Sequence, residues 1–360
     1  LKKTIFIAGG GTGGHIYPGL ALARSLQELD PELEIHFVGT AAGLEKKIIP
    51  REGFPLHLIS GGKLNFEGAF FEKLKTLAKL SWGLVQSLSL LSKYRPQFVL
   101  GVGGYASGPF VLMSSLFGFP SGIWEPNAQP GLANRWLARF VDICFVVFEE
   151  AKKILRNEKI VVAGMPVRAE IEAGRQSTES NGKFHLLCFG GSQGSRAINR
   201  VLCEALLQRG DWTKDIEVVH QIGATDWKVF QDKYKGTESF VTPMEFIYDM
   251  PKYYSWADLV LCRGGASTLS ELAAFGVVPI VVPLPAADNH QGKNAEALVK
   301  ANAAVMIPQS ELTVERLVQE IERLKSNPEL RKQMAENIKT FYKPNSAETI
   351  ARQILDLSSI

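Results

Sequence analysis

The chain opens on a β-prone run, Thr4-Ile5-Phe6-Ile7-Ala8, that feeds directly into Gly9-Gly10-Gly11-Thr12-Gly13-Gly14-His15. Five glycines let main-chain amides approach a ligand closely, and the segment from Tyr17 to Leu29 reads as a helix. A plain turn needs only one or two glycines. Unpaired N–H groups and the dipole at a helix start favour an anion, so this opening predicts a phosphate-bearing ligand. Strand, glycine turn and helix in that order are the first unit of a doubly wound α/β domain.

The same opening recurs in the second half. Phe184-His185-Leu186-Leu187-Cys188-Phe189 runs into Gly190-Gly191-Ser192-Gln193-Gly194-Ser195, and a helix containing Ile198 to Leu207 follows. Between the two, strand-like runs at Ile35–Val38, Leu56–Ile59, Phe98–Val102, Ser121–Trp124 and Ile143–Val147 alternate with helical segments, which predicts a parallel sheet covered on both faces. At 360 residues, two domains are expected. The polar stretch Gly174 to Lys183 places the linker near 164–183, giving domains over 1–163 and 164–340 and a last helix over 341–360. Two facing domains of this kind leave a cleft at the carboxyl ends of their strands, where ligands of such sheets bind.

Gly9-x-Gly11-x-x-Gly14 also satisfies the dinucleotide fingerprint, but a nicotinamide site wants a carboxylate at the end of the next strand. That strand ends Phe37-Val38-Gly39-Thr40, without one. A nicotinamide-dependent oxidoreductase is therefore disfavoured. Hydrophobic residues make up 46% and charged residues 21%, which excludes a disordered chain. No apolar run reaches bilayer length, and neither a signal peptide nor a membrane span is expected. The four cysteines, Cys144, Cys188, Cys203 and Cys262, are far apart and form no CxxC pair, so they read as reduced core residues of a cytoplasmic protein without a cysteine-held metal. Residues 1–162 hold 18 Lys and Arg against 13 Asp and Glu, whereas 163–360 hold 22 against 24. The basic excess in the first half suits an acidic partner. Nothing points to nucleic acid.

Asp258 to Glu271 reads as strand, glycine turn (Gly264, Gly265) and helix start, with Ser267, Thr268 and Ser270 supplying hydroxyls. Glu271 is placed to accept bonds from both ribose hydroxyls, or is simply a charge favoured by the helix dipole. The segment Pro283 to Gln291 closes a further strand with groups suited to sugar hydroxyls, as a polar loop also would.

Taken in order, these motifs resemble the MurG family of peptidoglycan N-acetylglucosaminyltransferases over nearly the whole chain. The matching pieces are the loop ending in His15, Gly103-Gly104-Tyr105-Ala106-Ser107-Gly108-Pro109, Glu125-x-Asn127, Pro166-Val167-Arg168, Gly190 to Gly194, Glu245-Phe246-Ile247-x-Asp249-Met250 and Arg263 to Glu271. The resemblance implies a GT-B fold, an amino-terminal domain for the lipid-linked acceptor (undecaprenyl-pyrophosphoryl-MurNAc-pentapeptide) and a carboxyl-terminal domain for UDP-GlcNAc. It implies that Thr12, Gly13, Gly14 and Asn127 approach the donor from the first domain. Arg168, Ser192, Ile247, Ala266, Ser267, Thr268, Leu269, Ser270, Glu271 and Gln291 then bind it from the second, with Ile247 reading the uracil, Glu271 the ribose, Ser192 the diphosphate and Gln291 the sugar. Tyr105 falls to the acceptor side. The chain departs from the family pattern at Trp124, Pro126, Met165 and His290. A peripheral location on the cytoplasmic face of the bacterial inner membrane, and contact with a cell-wall or division complex, also follow from the resemblance.

Attack by the acceptor hydroxyl on the anomeric carbon needs a base. His15, an imidazole with a reference pKa near 6.5, suits proton transfer at neutral pH, although donation to phosphate or helix capping would use it equally well. Glu125 is the rival base, or a structural acceptor. No Asp-x-Asp cation site is evident and no cofactor is expected; amides, helix starts and Arg168 are expected to hold the leaving diphosphate. One-step displacement predicts inversion. Phe66, Phe70, Phe71, Leu74, Leu77, Ala78 and Trp82, interleaved with Lys63, Lys73, Lys75 and Lys79, predict a surface for an anionic bilayer; the alternative is an amphipathic helix with its apolar face in the core. A UDP-GlcNAc 2-epimerase and a non-catalytic UDP-sugar-sensing membrane scaffold remain the competing functions.

Overall fold

The computed structural model describes residues 3–62, 70–167, 171, 182–208, 210–286 and 288–358, with the side chains of 70–77 left undescribed. The chain forms two compact units, one of residues 1–167 with 344–360 and one of residues 168–343.

In the first unit seven strands, β1 (Thr4–Gly9), β2 (Glu34–Gly39), β3 (Leu56–Leu58), β4 (Phe98–Gly103), β5 (Ser121–Glu125), β6 (Ile143–Val146) and β7 (Ile160–Val162), form one sheet. Their order is β3-β2-β1-β4-β5-β6-β7, every pairing parallel. Its central strands are continuous apolar runs because helices cover both faces: Ile5, Phe6, Ile7, Phe98, Val99 and Ile143 are fully buried. Helices α1 (Gly13–Leu29), α2 (Glu45–Arg51), α3 (Phe70–Tyr94), α4 (Ser107–Leu116) and α5 (Leu132–Leu137) connect the first strands. α1 begins four residues before the Tyr17 start read from the sequence, so Gly13, Gly14 and His15 form its first turn. The last helix, Ser346–Leu357, buries Ile350, Ala351 and Ile354 and packs on α1.

The second unit repeats the plan with six strands, β8 (Phe184–Phe189), β9 (Ile216–Gln221), β10 (Val241–Met244), β11 (Leu259–Cys262), β12 (Val278–Val281) and β13 (Val305–Met306), in the order β10-β9-β8-β11-β12-β13. In each sheet the chain runs outward first on one side and then on the other. The reversal falls between β1 and β4 in the first unit and between β8 and β11 in the second. At such a switch point the turns that follow the two strands part and leave a ligand crevice. All four cysteines are buried and unbridged.

Two histidine sites tie stability to pH. His36 Nδ1 lies 2.8 Å from His57 Nε2, and burial, with His36 and Lys93 nearby, pushes His57 down to about 4. His220, fully buried, is bonded to Tyr234 and Asn199 and pushed down by burial to about 3. Both fold as neutral imidazoles, so the unfolded chain takes up more protons below about pH 6.5. Stability is therefore full above that pH and falls as the pH drops toward 4 and then 3, His220 alone accounting for roughly 3–5 kcal/mol over the whole range. The denaturant midpoint is expected to be clearly lower at pH 5 than at pH 7.5; an unchanged midpoint would show that these rings are not held neutral.

Candidate active site

The first unit places its functional groups after β1, β4 and β5. Gly10 (φ +153°) and Gly11 (φ +87°) turn the chain out of β1, and Thr12 caps α1 from an extended conformation. The Gly10 N–H donates to the Gly103 carbonyl (3.1 Å), which joins this loop to the one after β4. Gly103 (φ +103°) must be glycine for a second reason: a Cβ there would lie 2.8 Å from the His15 ring. His15 Nδ1 is 3.1 Å from the Gly10 carbonyl oxygen. A carbonyl only accepts, so Nδ1 carries the proton and Nε2 is left as the ring's acceptor, the form a general base requires. Tyr105, half exposed, follows the second glycine turn at the start of α4.

Glu125 ends β5 and is 2% exposed. Its Oε1 accepts from the Asn127 N–H (2.9 Å) and Asn127 Nδ2 (3.1 Å), and its Oε2 from the Gly131 N–H (3.0 Å) and Asn134 Nδ2 (2.8 Å). Burial raises its pKa, and these bonds pull it back. With both oxygens engaged in shaping residues 126–134, Glu125 is built as a structural acceptor, which weakens it as a rival to His15. Glu125→Ala is expected to strand the buried Asn134 amide, free the loop donors of Asn127 and Gly131, and destabilise the protein by about 3 kcal/mol; a variant with unaltered thermal stability and lost turnover would return Glu125 to the role of base. Trp124 beside it is fully buried and donates to the Gly164 carbonyl (3.4 Å), so this departure from the family pattern is a matter of core packing.

The second unit's turns lie after β8 and β11. Gly194 (φ +76°) passes so close to the Ile222 carbonyl that a Cβ would sit 2.0 Å from its oxygen, and exposed Ser192 stands at the crest of this turn. Gln221, at the end of β9, links turn and neighbouring loop by donating to the Gly191 carbonyl (2.8 Å) and accepting from the Ile247 N–H (3.3 Å). Ile247 is buried, while the flanking Phe246 and Tyr248 are exposed with ring centroids 4.9 Å apart.

After β11, Gly265 caps the helix Ala266–Phe275, whose first amides have no partner within the helix. Arg263 braces the turn by donating to the Val282 and Pro283 carbonyls (3.0 and 3.1 Å) and to Gln309 Oε1 (2.8 Å). Glu271 accepts from the buried Tyr254 hydroxyl (2.8 Å). The side chains of Ala266, Leu269 and Ser270 are buried, and the Leu269 N–H is spent on the Gly265 carbonyl. Of the helix positions singled out in the sequence, Ser267, Thr268 and Glu271 thus keep partly exposed side chains, while those of Ala266, Leu269 and Ser270 turn inward. Gln291 Oε1 accepts from the Gly264 N–H (3.1 Å) and the Leu284 N–H (3.0 Å), which ties the turn after β11 to the loop after β12.

Arg168 and Lys63 lie outside the described residues, as do the side chains of Phe70, Phe71, Leu74 and Lys75. Trp82 on α3 is 58% exposed. Exposed apolar groups not singled out in the sequence accompany it on neighbouring helices: Leu116 and Phe117 at the end of α4, and Leu132 and Trp136 on α5, with Arg139 stacked 4.8 Å over Trp136. Among the described residues no group of three or more His, Cys, Asp or Glu could hold a metal ion, and no helix is long and apolar enough to cross a membrane.

Two parallel-sheet Rossmann-like units with glycine turns at both switch points are the parts of a GT-B fold, and matches to both domains of one glycosyltransferase family make the chain a glycosyltransferase. Residues 5–146 match the N-terminal domain of glycosyltransferase family 28, and residues 185–350 its C-terminal domain. A protein of Bdellovibrio bacteriovorus named UDP-N-acetylglucosamine--N-acetylmuramyl-(pentapeptide) pyrophosphoryl-undecaprenol N-acetylglucosamine transferase is 61% identical over 355 residues, 99% of each chain. One of Myxococcus xanthus with the same name is 42% identical, covering 98% of this chain and 92% of its own length. The crystal structure of Acinetobacter baumannii MurG superposes with a TM-score of 0.81 at 29% identity, over 98% of this chain and 99% of that one. The chain belongs to the MurG family within glycosyltransferase family 28. A putative UDP-N-acetylglucosamine 2-epimerase from Listeria monocytogenes shares the fold at 16% identity and a TM-score of 0.68.

Proposed function

We propose that this chain transfers N-acetylglucosamine from UDP-GlcNAc to undecaprenyl-pyrophosphoryl-MurNAc-pentapeptide, the step of peptidoglycan synthesis from lipid I to lipid II. The observation that carries the reading is full-length 61% identity to a transferase of that name, in a chain whose His15 is held in the tautomer a base needs. In this reading the second unit holds the donor. The glycine turn at Ser192 and the amides at the start of helix Ala266–Phe275 meet the diphosphate, Glu271 takes the ribose hydroxyls, Ile247 lies at the base and Gln291 at the sugar. His15 Nε2 takes the proton from the acceptor hydroxyl as its oxygen attacks the anomeric carbon and UDP departs.

The acceptor is a lipid, and the exposed Trp82, Phe117 and Trp136, the last with Arg139 stacked on it, support peripheral attachment to an anionic bilayer on the cytoplasmic face. Contact with other cell-wall or division proteins belongs to the same reading. Incubation of radiolabelled UDP-GlcNAc with the lipid-linked muramyl-pentapeptide in anionic vesicles tests it. Label is expected in the lipid product; release of an epimerised sugar nucleotide would instead favour the 2-epimerase, and no turnover the silent scaffold.

A further inference from the structure

Glu45, the first residue of α2, is 1% exposed. Three glycines clear the space it occupies: a Cβ on Gly10 would approach its carboxyl carbon to 2.3 Å, one on Gly39 its Cγ to 2.5 Å, and one on Gly43 its Oε2 to 1.9 Å. Among the described residues, three donors meet the carboxylate. Oε1 accepts from the Thr40 N–H (2.9 Å) and hydroxyl (3.2 Å), and Oε2 from the Gly11 N–H (2.7 Å). An acceptor-only group is what such a nest fits; a glutamine would turn its NH2 toward one of these donors.

The Gly11 N–H and the Gly10 carbonyl belong to one planar amide and point in opposite directions. On one edge of that amide the N–H donates to Glu45; on the other the carbonyl oxygen accepts from His15 Nδ1. We propose that Glu45 is a positioning residue acting through this peptide: its charge polarises the amide, strengthens the bond to His15 Nδ1–H and so raises the basicity of Nε2. Hydrogen bonds in series reinforce one another in a low-dielectric setting, and a carboxylate one peptide away favours the imidazolium that forms when Nε2 takes a proton. The Nδ1 proton stays in place throughout. The same geometry spends the Gly11 amide on a carboxylate, which disfavours phosphate at Gly10 and Gly11 and leaves the first turn of α1 as the loop's anion-facing part.

The relay rests on the reading of His15 as the base, and a measurement on the resting enzyme separates the two. In protein labelled with 15N-histidine, the His15 midpoint is expected to fall by about half a pH unit in Glu45→Gln. In turnover, the acid limb of kcat is expected to move the same way and kcat to drop by about two- to tenfold, with donor KM nearly unchanged. An unmoved His15 midpoint in a folded variant overturns the relay, since a mere brace for the loop would alter thermal stability and leave that midpoint alone. A lowered midpoint with unchanged kcat and acid limb upholds the relay and removes His15 as the base. If Glu45→Gln does not fold, the wild-type Gly11 amide proton decides: a shift that follows the His15 titration supports the relay, and one indifferent to it overturns it.

Discussion

Replacing His15 with alanine is expected to lower kcat for GlcNAc transfer by about 10²- to 10⁴-fold, the range general-base catalysis supplies, and to leave donor KM within about twofold. The split follows from geometry. His15 is only partly buried and its Nδ1 is engaged by the Gly10 carbonyl, so its removal opens no large core cavity, and the groups proposed to read the donor lie on other elements. What disappears is Nε2, which in the proposed mechanism acts only as the acceptor hydroxyl loses its proton. Steady-state kinetics over both substrates checks this. An equal loss in kcat and in donor affinity would make His15 a ground-state phosphate ligand.

Glu271→Ala should produce the opposite split, weakening UDP-GlcNAc binding by about 10- to 100-fold, the worth of hydrogen bonds to a charged group. Tyr254 holds one carboxylate oxygen at 2.8 Å, so Glu271 is oriented before the donor arrives. Calorimetry with UDP-GlcNAc and its 2′-deoxyribose analogue locates the contact. Wild-type protein is expected to discriminate strongly between the two and Glu271→Ala hardly at all; equal discrimination by both would move the ribose contact elsewhere.

The scaffold of this site is legible in the sequence because parallel strands buried on both faces leave continuous apolar runs, and each glycine turn punctuates the end of one. Thus β1, β4 and β8 and the turns beyond them stand where those runs place them. The start of α1 is less legible, since Gly13 and Gly14 read as loop although their backbone is the first helical turn. Least legible are the groups that act across sequence. Glu45 looks like any carboxylate at a helix start, and the flanking Gly39 and Gly43 were the available signal. Gln221 is distant in sequence from both Gly191 and Ile247, which it joins, and nothing local marks it. The burial of Leu269 and Ser270 is not legible either, for a motif names a helix start without saying which of its faces turns inward.

The stereochemistry of the product tests most directly whether His15 drives a single displacement on the donor. Proton NMR of the purified disaccharide lipid formed from α-linked UDP-GlcNAc is expected to show the large axial–axial coupling of a β-linked anomeric proton. The small coupling of an α linkage would mean retention, and with it a reaction in which direct attack promoted by His15 has no place.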